Sequence, residues 1–314
     1  MTRRPRGGAS VPEYPRFGGV APLGQGTPYV ESLTGYLQRL ANTYEIPTAT
    51  LFGRAVYPAL QARGLWRSRL SDVLRRHAYA LNGADEVARL GVDRLETLAG
   101  RNDLADCSFL TLGDLELIRR KEVVAEGKRW CAACWRADGA PGGRYERKLW
   151  ALAVVEACPV HGTALIERCT ACGRRQPVIA RDVAVGACAL CGTDLAEPVA
   201  QSPPRDGSSA TRQAWYAGEA AALLAAVQVS GLLGFDAARL TDARQRGLAD
   251  LLERSGQVGA HPAAVTRIER WQRRWGRPNL EEVFSVLWRA RWPIARLFPE
   301  DVQRALASRR AGDG

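Results

Sequence analysis

Apolar residues recur at helical spacing along most of the chain and lose that spacing in one central stretch. In VESLTGYLQRLANTYEIPTATLFGRAVYPAL, residues 30–60, Leu33, Tyr36, Leu37, Leu40 and Tyr44 share a face and predict a first helix. Glu45-Ile46-Pro47 interrupts it, and Thr48 is placed to cap a second helix that carries Leu51 and Phe52. This is the layout of a helix-turn-helix, which can set its second helix in a major groove, although any packed helix pair has the same pattern. Before Pro58 the second helix offers only Arg54 as an obvious reader of bases or phosphates. Further helices are predicted over 70–81, 84–90 and 112–124, the last opened by a capping box of Thr111 and Asp114. The periodicity resumes over 212–229, 236–255, 262–275 and 279–290. The longest apolar run, 217–234, is broken by Glu219, Gln228 and Ser230, so it predicts a buried helix and not a membrane span.

The central stretch has a different regularity. Seven of the eight cysteines lie between 131 and 191, in Cys131-x2-Cys134, Cys158-x2-His161, Cys169-x2-Cys172 and Cys188-x2-Cys191. Each pair can point two side chains at one ion from a tight turn, and four pairs supply two complete tetrahedral zinc sites. Chain order groups Cys131, Cys134, Cys158 and His161, then Cys169, Cys172, Cys188 and Cys191; a cross-braced grouping uses the same residues. Gly162, Gly173 and Gly192 each follow the second ligand of a pair, where a left-handed backbone suits the turn. A catalytic zinc keeps an open coordination position, whereas these sets are full, so two structural zinc ions and no enzyme activity are expected. Cys107, beside Phe109 and Leu110, reads as a small buried hydrophobe.

Charge adds a partner class. The 314-residue chain carries a formal +11, nearly all from arginine, since its only lysines are Lys121, Lys128 and Lys148. That excess fits a nucleic-acid partner without locating a groove. Candidate contacts are Arg54, the loop cations Arg144, Arg147 and Lys148, and the helix-borne Arg267, Arg270, Arg273, Arg274 and Arg277. The loop cations could equally be solvated. Trp271 and Trp275, like Trp288 and Trp292, are four apart, a spacing that serves a core or partner interface as well as base stacking. No phosphate loop, dinucleotide fingerprint or nuclease-like carboxylate trio is evident. The basic start MTRRPRGG has no apolar secretion segment after it, so the expected location is cytoplasmic, nucleoid-associated when engaged on DNA.

The expected fold is mainly α with small β zinc-knuckle elements. A flexible arm at 1–27 precedes a helical domain at 28–127 with the helix-turn-helix-like unit. A tandem zinc module follows at 128–200, then a linker at 201–211 and a C-terminal helical domain at 212–314.

Together, YPRFGGVAPLGQGTPYVESLTGYLQRLANTYEI, WCAACW, LWALAVVEACPVHGTALIERCTACG and CALCG resemble the TniQ family, which includes TnsD-like transposition proteins. The most specific part is the apolar run ending in C-P-x-H-G and followed by C-x-x-C-G. By the resemblance, Leu33, Tyr36, Leu37, Arg39, Leu40 and Ala41 belong to the family's helix-turn-helix, and the eight ligands map onto its paired zinc motifs. CAAC at 131–134 departs from the family, whose members often have proline after the first cysteine. The resemblance implies a non-catalytic target-selection adaptor of Tn7-like or CRISPR-associated transposons. Its partners would be an AAA+ transposition regulator, double-stranded target DNA and a CRISPR effector complex with guide RNA, with self-association an open option. The alternative is a sequence-specific binder of a transposon attachment site.

Overall fold

The computed structural model describes residues 17–114, 122–139, 143–197, 207–257, 262–272 and 278–312. Its first layer comprises α1 (Leu33–Thr43), α2 (Thr48–Ala55), α3 (Tyr57–Ala62), α4 (Leu70–Arg76) and α5 (Glu86–Ala99), with a 3₁₀ turn at Ala78–Asn82. Helix α1 is central: Leu33, Tyr36, Leu37, Leu40 and Ala41 are buried, and so are Thr34 and Gln38 on its other side. Ser32 caps it by accepting the Gly35 N–H at 3.1 Å. Buried polar groups on α1 are paired, since Thr34 N–H donates to Asn82 Oδ1 at 3.0 Å and Asn82 Nδ2 donates back to Thr34 Oγ1 at 2.9 Å. Glu45, at φ 53°, turns the chain out of α1. Pro58 follows α2 closely; its ring would clash with the carbonyl four residues earlier, which ends α2 and starts α3 afresh.

Residues 17–27 pack against this layer. Phe17 N–H donates to the Leu98 carbonyl at 2.9 Å, and Tyr36 Oη donates to the Val20 carbonyl at 3.0 Å. Residues 1–16 of the expected arm lie outside the described residues.

The central stretch is pinned to α1 at both ends. Ser32 N–H donates to the Glu146 carbonyl at 2.7 Å and Lys148 N–H to the Val30 carbonyl at 2.8 Å, flanking a Glu31/Arg147 bridge. Farther along, the Val183 carbonyl accepts Gln38 Nε2 at 3.0 Å, and Val178 and Ile179 enter the N-terminal core.

The C-terminal layer consists of long helices. After α6 (Leu110–Asp114), α7 (Ala132–Ala137) and α8 (Lys148–Ala151) come α9 (Gly207–Leu232), α10 (Ala237–Gln257), α11 (Pro262–Gln272), α12 (Leu280–Ala290) and α13 (Glu300–Gly312). Alanines 217, 220 and 226 of α9 let neighbouring helices approach closely. At Gly247 of α10 a Cβ would fall 2.5 Å from the Arg296 carbonyl oxygen, so only glycine fits there. Asn279 and Glu282 cap α12 reciprocally. Leu149, Leu152, Val154 and Val155 from the central stretch enter this core. Among the described residues no helix is long and apolar enough to cross a membrane.

Several expectations need correction. The fold is mainly α, but the β zinc-knuckle elements are not found: among the described residues there is no strand, only isolated bridges such as Ala157/Ala164. The ligand-bearing segments are too short and too tightly turned to continue a ladder past one pair. Thr48 does not cap α2; Pro47 occupies that position, and the Thr48 hydroxyl is buried without a hydrogen-bond partner among the described residues. The helix expected at 112–124 starts at Leu110, whose N–H donates to Ser108 Oγ at 3.3 Å, so Thr111 and Asp114 are not its cap. It does not reach 124, because Glu122 adopts φ 67° and Val124 bridges Leu152; residues 115–121 lie outside the described residues. The expected linker divides: 201–206 lie outside the described residues and 207–211 already belong to α9.

Candidate metal centres

Three of the four ligand pairs come from one repeated turn. In ACPVHGTA (157–164), RCTACGRR (168–175) and ACALCGTD (187–194), the first ligand's carbonyl accepts a glycine N–H four residues on. The distances are 2.8 Å for Gly162 to Cys158, 2.8 Å for Gly173 to Cys169 and 3.0 Å for Gly192 to Cys188. The first ligand's own N–H closes the turn by donating to the carbonyl of Thr163, Arg174 or Thr193, at 2.8 to 2.9 Å. The three glycines stand at φ 66°, 69° and 75°, where any side chain would add strain. This geometry turns both ligand side chains of a pair to the same side.

The fourth pair is helical. Cys131 stands at the N-cap position of α7 with an extended backbone, and Cys134 lies in the first turn. Their sulfurs meet Cys158 and His161, while Cys169 and Cys172 meet Cys188 and Cys191; within each set all four ligand atoms lie within 4.8 Å of one another. The geometry groups the pairs in chain order and not cross-braced.

A zinc ion fits this donor set. Zinc–sulfur bonds of about 2.3 Å at tetrahedral angles separate sulfurs by about 3.8 Å, and sulfur from imidazole nitrogen by about 3.6 Å. In the first cluster Cys134 Sγ lies 3.5 Å from Cys158 Sγ, and His161 Nδ1 lies 3.6, 3.3 and 3.6 Å from the sulfurs of Cys131, Cys134 and Cys158. In the second, Cys169 to Cys191 and Cys172 to Cys188 are both 3.7 Å. Three thiolates this close repel, so the sulfurs alone divide their protons. Hydrogen bonding with Cys134 and Cys158 holds Cys131 far below an ordinary thiol, and hydrogen bonding with Cys131 pushes Cys134 far above it. A cation would let all of them ionise together.

The surroundings differ. Trp130 stacks on Trp135 at 5.7 Å, Trp135 meets Trp150 edge-on at 5.8 Å, and these indoles share one core with Cys131, Cys134 and Cys158 and with Cys169 and Cys188 of the second cluster. Around the second, Gln176 Nε2 donates to Cys188 Sγ at 3.3 Å while its Oε1 accepts the Ala189 N–H at 2.9 Å. Thr163 and Thr193, at one position of the repeated turn, put hydroxyls 3.6 Å from Cys131 Sγ and 3.3 Å from Cys191 Sγ. Reading the ligands alone misses these supports, although the repeated G-T after the second ligand is a visible signal.

The loop cations turn inward, into ion pairs and carbonyl contacts. Arg144 pairs with Asp194 at 2.6 Å and donates to the Trp135 and Gly139 carbonyls. Arg147 makes a two-pronged pair with Asp138 at 2.9 and 2.8 Å and lies over the Trp150 ring. Lys148 is buried, its Nζ donating to the Asp106 and Ser108 carbonyls, and burial lowers its pKa. These residues hold the first cluster in place. Arg54, Arg267 and Arg270 are exposed, while Arg273, Arg274 and Arg277 lie outside the described residues. Trp271, Trp288 and Trp292 pack into or against the C-terminal core, and Trp275 lies outside the described residues. Cys107 is buried and its thiol is pushed up by desolvation.

The TniQ family model matches residues 22–165. No curated protein matches the chain. The matched segment contains α1 to α8 and the whole first cluster, and stops short of Cys169.

Proposed function

We propose that this chain is a target-selection adaptor, a reading supported by the match of residues 22–165 to the TniQ family, whose members are non-catalytic and transposition-related. It links a target-recognition complex and target DNA to an AAA+ transposition regulator. The carrying observation is architectural. Two four-ligand clusters lie along the chain between the N-terminal helical layer and the long-helix layer, and the segments bearing them insert apolar residues into both cores. Zinc is the metal this donor set suits, held structurally by Cys131, Cys134, Cys158 and His161 in one cluster and by Cys169, Cys172, Cys188 and Cys191 in the other. Fixing two helical surfaces in one frame lets modest contacts at each combine, because the second becomes effectively intramolecular. Recognition is then delegated to a guide-RNA effector complex.

The test is co-purification of the full chain with an AAA+ transposition regulator, with zinc counted in the isolated protein. The proposal expects a stable complex and two zinc ions per chain. A folded chain that ignores the regulator would end the adaptor reading.

A further inference from the structure

A cavity of about 20 Å³ lies where the N-terminal layer meets the central stretch. Ser32, Thr34 and Asn82 of the first line it together with Lys128, Arg129 and Trp150 of the second. Glu146 and Arg147 reach it as well.

Almost every polar group here is matched. Thr34 and Asn82 exchange two hydrogen bonds, and Ser32 Oγ accepts the Gly35 N–H. Lys128 Nζ donates to the Glu146 carboxylate and to Gln38 Oε1 at 3.3 Å, while Arg147 is paired with Asp138. Two groups are left over, and both are donors. Arg129 Nε and Trp150 Nε1 have no hydrogen-bond partner among the described residues, although Arg129 is only 8% exposed and Trp150 2%. Buried N–H groups without an acceptor are rare in folded proteins.

Arg129 also lacks a counter-ion. Its guanidinium donates to the Leu152 carbonyl at 2.7 Å and the Ala153 carbonyl at 3.5 Å, both neutral acceptors. Among the described residues no carboxylate lies within ion-pair distance of it, and Glu156 and Glu167 act on it from farther off. With Lys128 set against Glu146 and Arg147 against Asp138, one positive charge remains at the cavity. A buried cation without a counter-charge is strongly destabilising.

The leftover groups define the ligand: it accepts N–H bonds, donates none and carries one negative charge. A water molecule would accept both bonds, but it brings two donors of its own and leaves the charge unmet. About 10–15 Å³ admits one water-sized particle, so this space takes a monatomic ion and excludes phosphate and sulfate.

We infer that the cavity binds one chloride-sized anion, held by the Arg129 Nε–H and the Trp150 Nε1–H. Because Ser32, Thr34 and Asn82 share the cavity, filling it fastens the start of α1 to the central stretch. The site stands apart from the adaptor reading and holds whichever partner the chain serves.

The test is crystallography of the full, zinc-loaded chain grown in sodium bromide, with data collected at the bromine absorption edge. An anomalous peak is expected in the cavity of the wild type and not in Arg129→Met, which keeps the aliphatic stem and removes the charge. A water in place of the peak overturns the inference. So does a peak that persists in the folded Arg129→Met variant, since that marks an adventitious ion only. Solution stability gives a second reading that needs no crystal of the variant. Raising chloride from about 10 to about 300 mM against gluconate, at fixed ionic strength, should raise the folding equilibrium constant about fifteenfold for a site half-filled at about 10 mM. Trp150→Phe, which removes the other donor, should flatten that dependence, with circular dichroism and zinc content establishing that it is folded. A wild type indifferent to chloride, or a folded Trp150→Phe that responds as the wild type does, overturns the assignment.

Discussion

In the first cluster Cys131, Cys134 and Cys158 are at most 2% exposed beside three tryptophans and His161 faces solvent, whereas in the second only Cys169 and Cys188 are as deeply buried, Cys172 is half-buried and Cys191 faces solvent. The second cluster uses the repeated turn twice, and the first uses it once, completed by a helix start. The same local ligand geometry therefore serves two purposes. Around the first, the metal site sits in a small core of its own, to which Trp130, Trp135 and Trp150 of the central stretch contribute and which Arg144 and Arg147 border. Around the second, the site closes a peripheral lobe. That lobe is tied back by Trp130 Nε1 to the Leu195 carbonyl at 3.0 Å, by Arg136 to the Ala196 carbonyl at 2.9 Å, and by the Arg144–Asp194 pair. Burial, and not ligand count, decides how far the loss of a metal would propagate.

The sharpest way to break this contrast is Cys158→Ala. It removes one first-cluster ligand and leaves neighbouring thiols buried and unmatched, so the cost should be at least about 5 kcal/mol and take the cooperative fold with it. Tryptophan emission should shift to the red and the thermal transition should vanish. An intact transition would mean that the wall of indoles, without metal, is sufficient.

Cys191→Ala should do less. One of two zinc ions should be lost and protease cleavage should concentrate between residues 168 and 195, while global stability falls by about 2 kcal/mol or less. Native mass spectrometry gives the ion count. If this variant unfolds as completely as Cys158→Ala, the distinction between core and lobe is wrong.

The smallest effect is expected of Asp194→Asn, which weakens the tether between the two. Hydrogen bonding from Arg144 holds the Asp194 carboxyl below the ordinary carboxylate value. A lowered folded value means that its contribution is complete above the unfolded pKa and disappears as pH falls through the folded one. Because Asp194 is partly exposed, the difference from wild type should stay under about 1 kcal/mol at neutral pH and close in acid. Denaturant midpoints compared across pH test this, and a gap that widens in acid would contradict it.

The ligand pairs were readable because each is local: two residues three apart and a following glycine specify the turn. Grouping pairs into clusters is a tertiary property, and the spacing left it open. The partners of Arg144, Arg147 and Lys148 are Asp194, Asp138 and the carbonyls of Asp106 and Ser108. Three of these four lie 40 or more residues away and only Asp138 is near, so the local sequence did not announce the cations' burial. Helix α13 was missed because it contributes mainly Val302 and Leu306 to the core, too few apolar residues to set a period. The expected β elements are absent among the described residues because each ligand turn makes a single bridge and no ladder.

The Glu31/Arg147 bridge joins segments more than a hundred positions apart, and Ser32, the cap of α1, donates its N–H to the Glu146 carbonyl in the same seam. A ribosome adding about 5–20 residues per second leaves α1 exposed for on the order of ten seconds before that seam can close. Throughout that interval the nascent chain presents an uncovered apolar helix, so the newborn protein should depend on holding chaperones more than its finished form suggests.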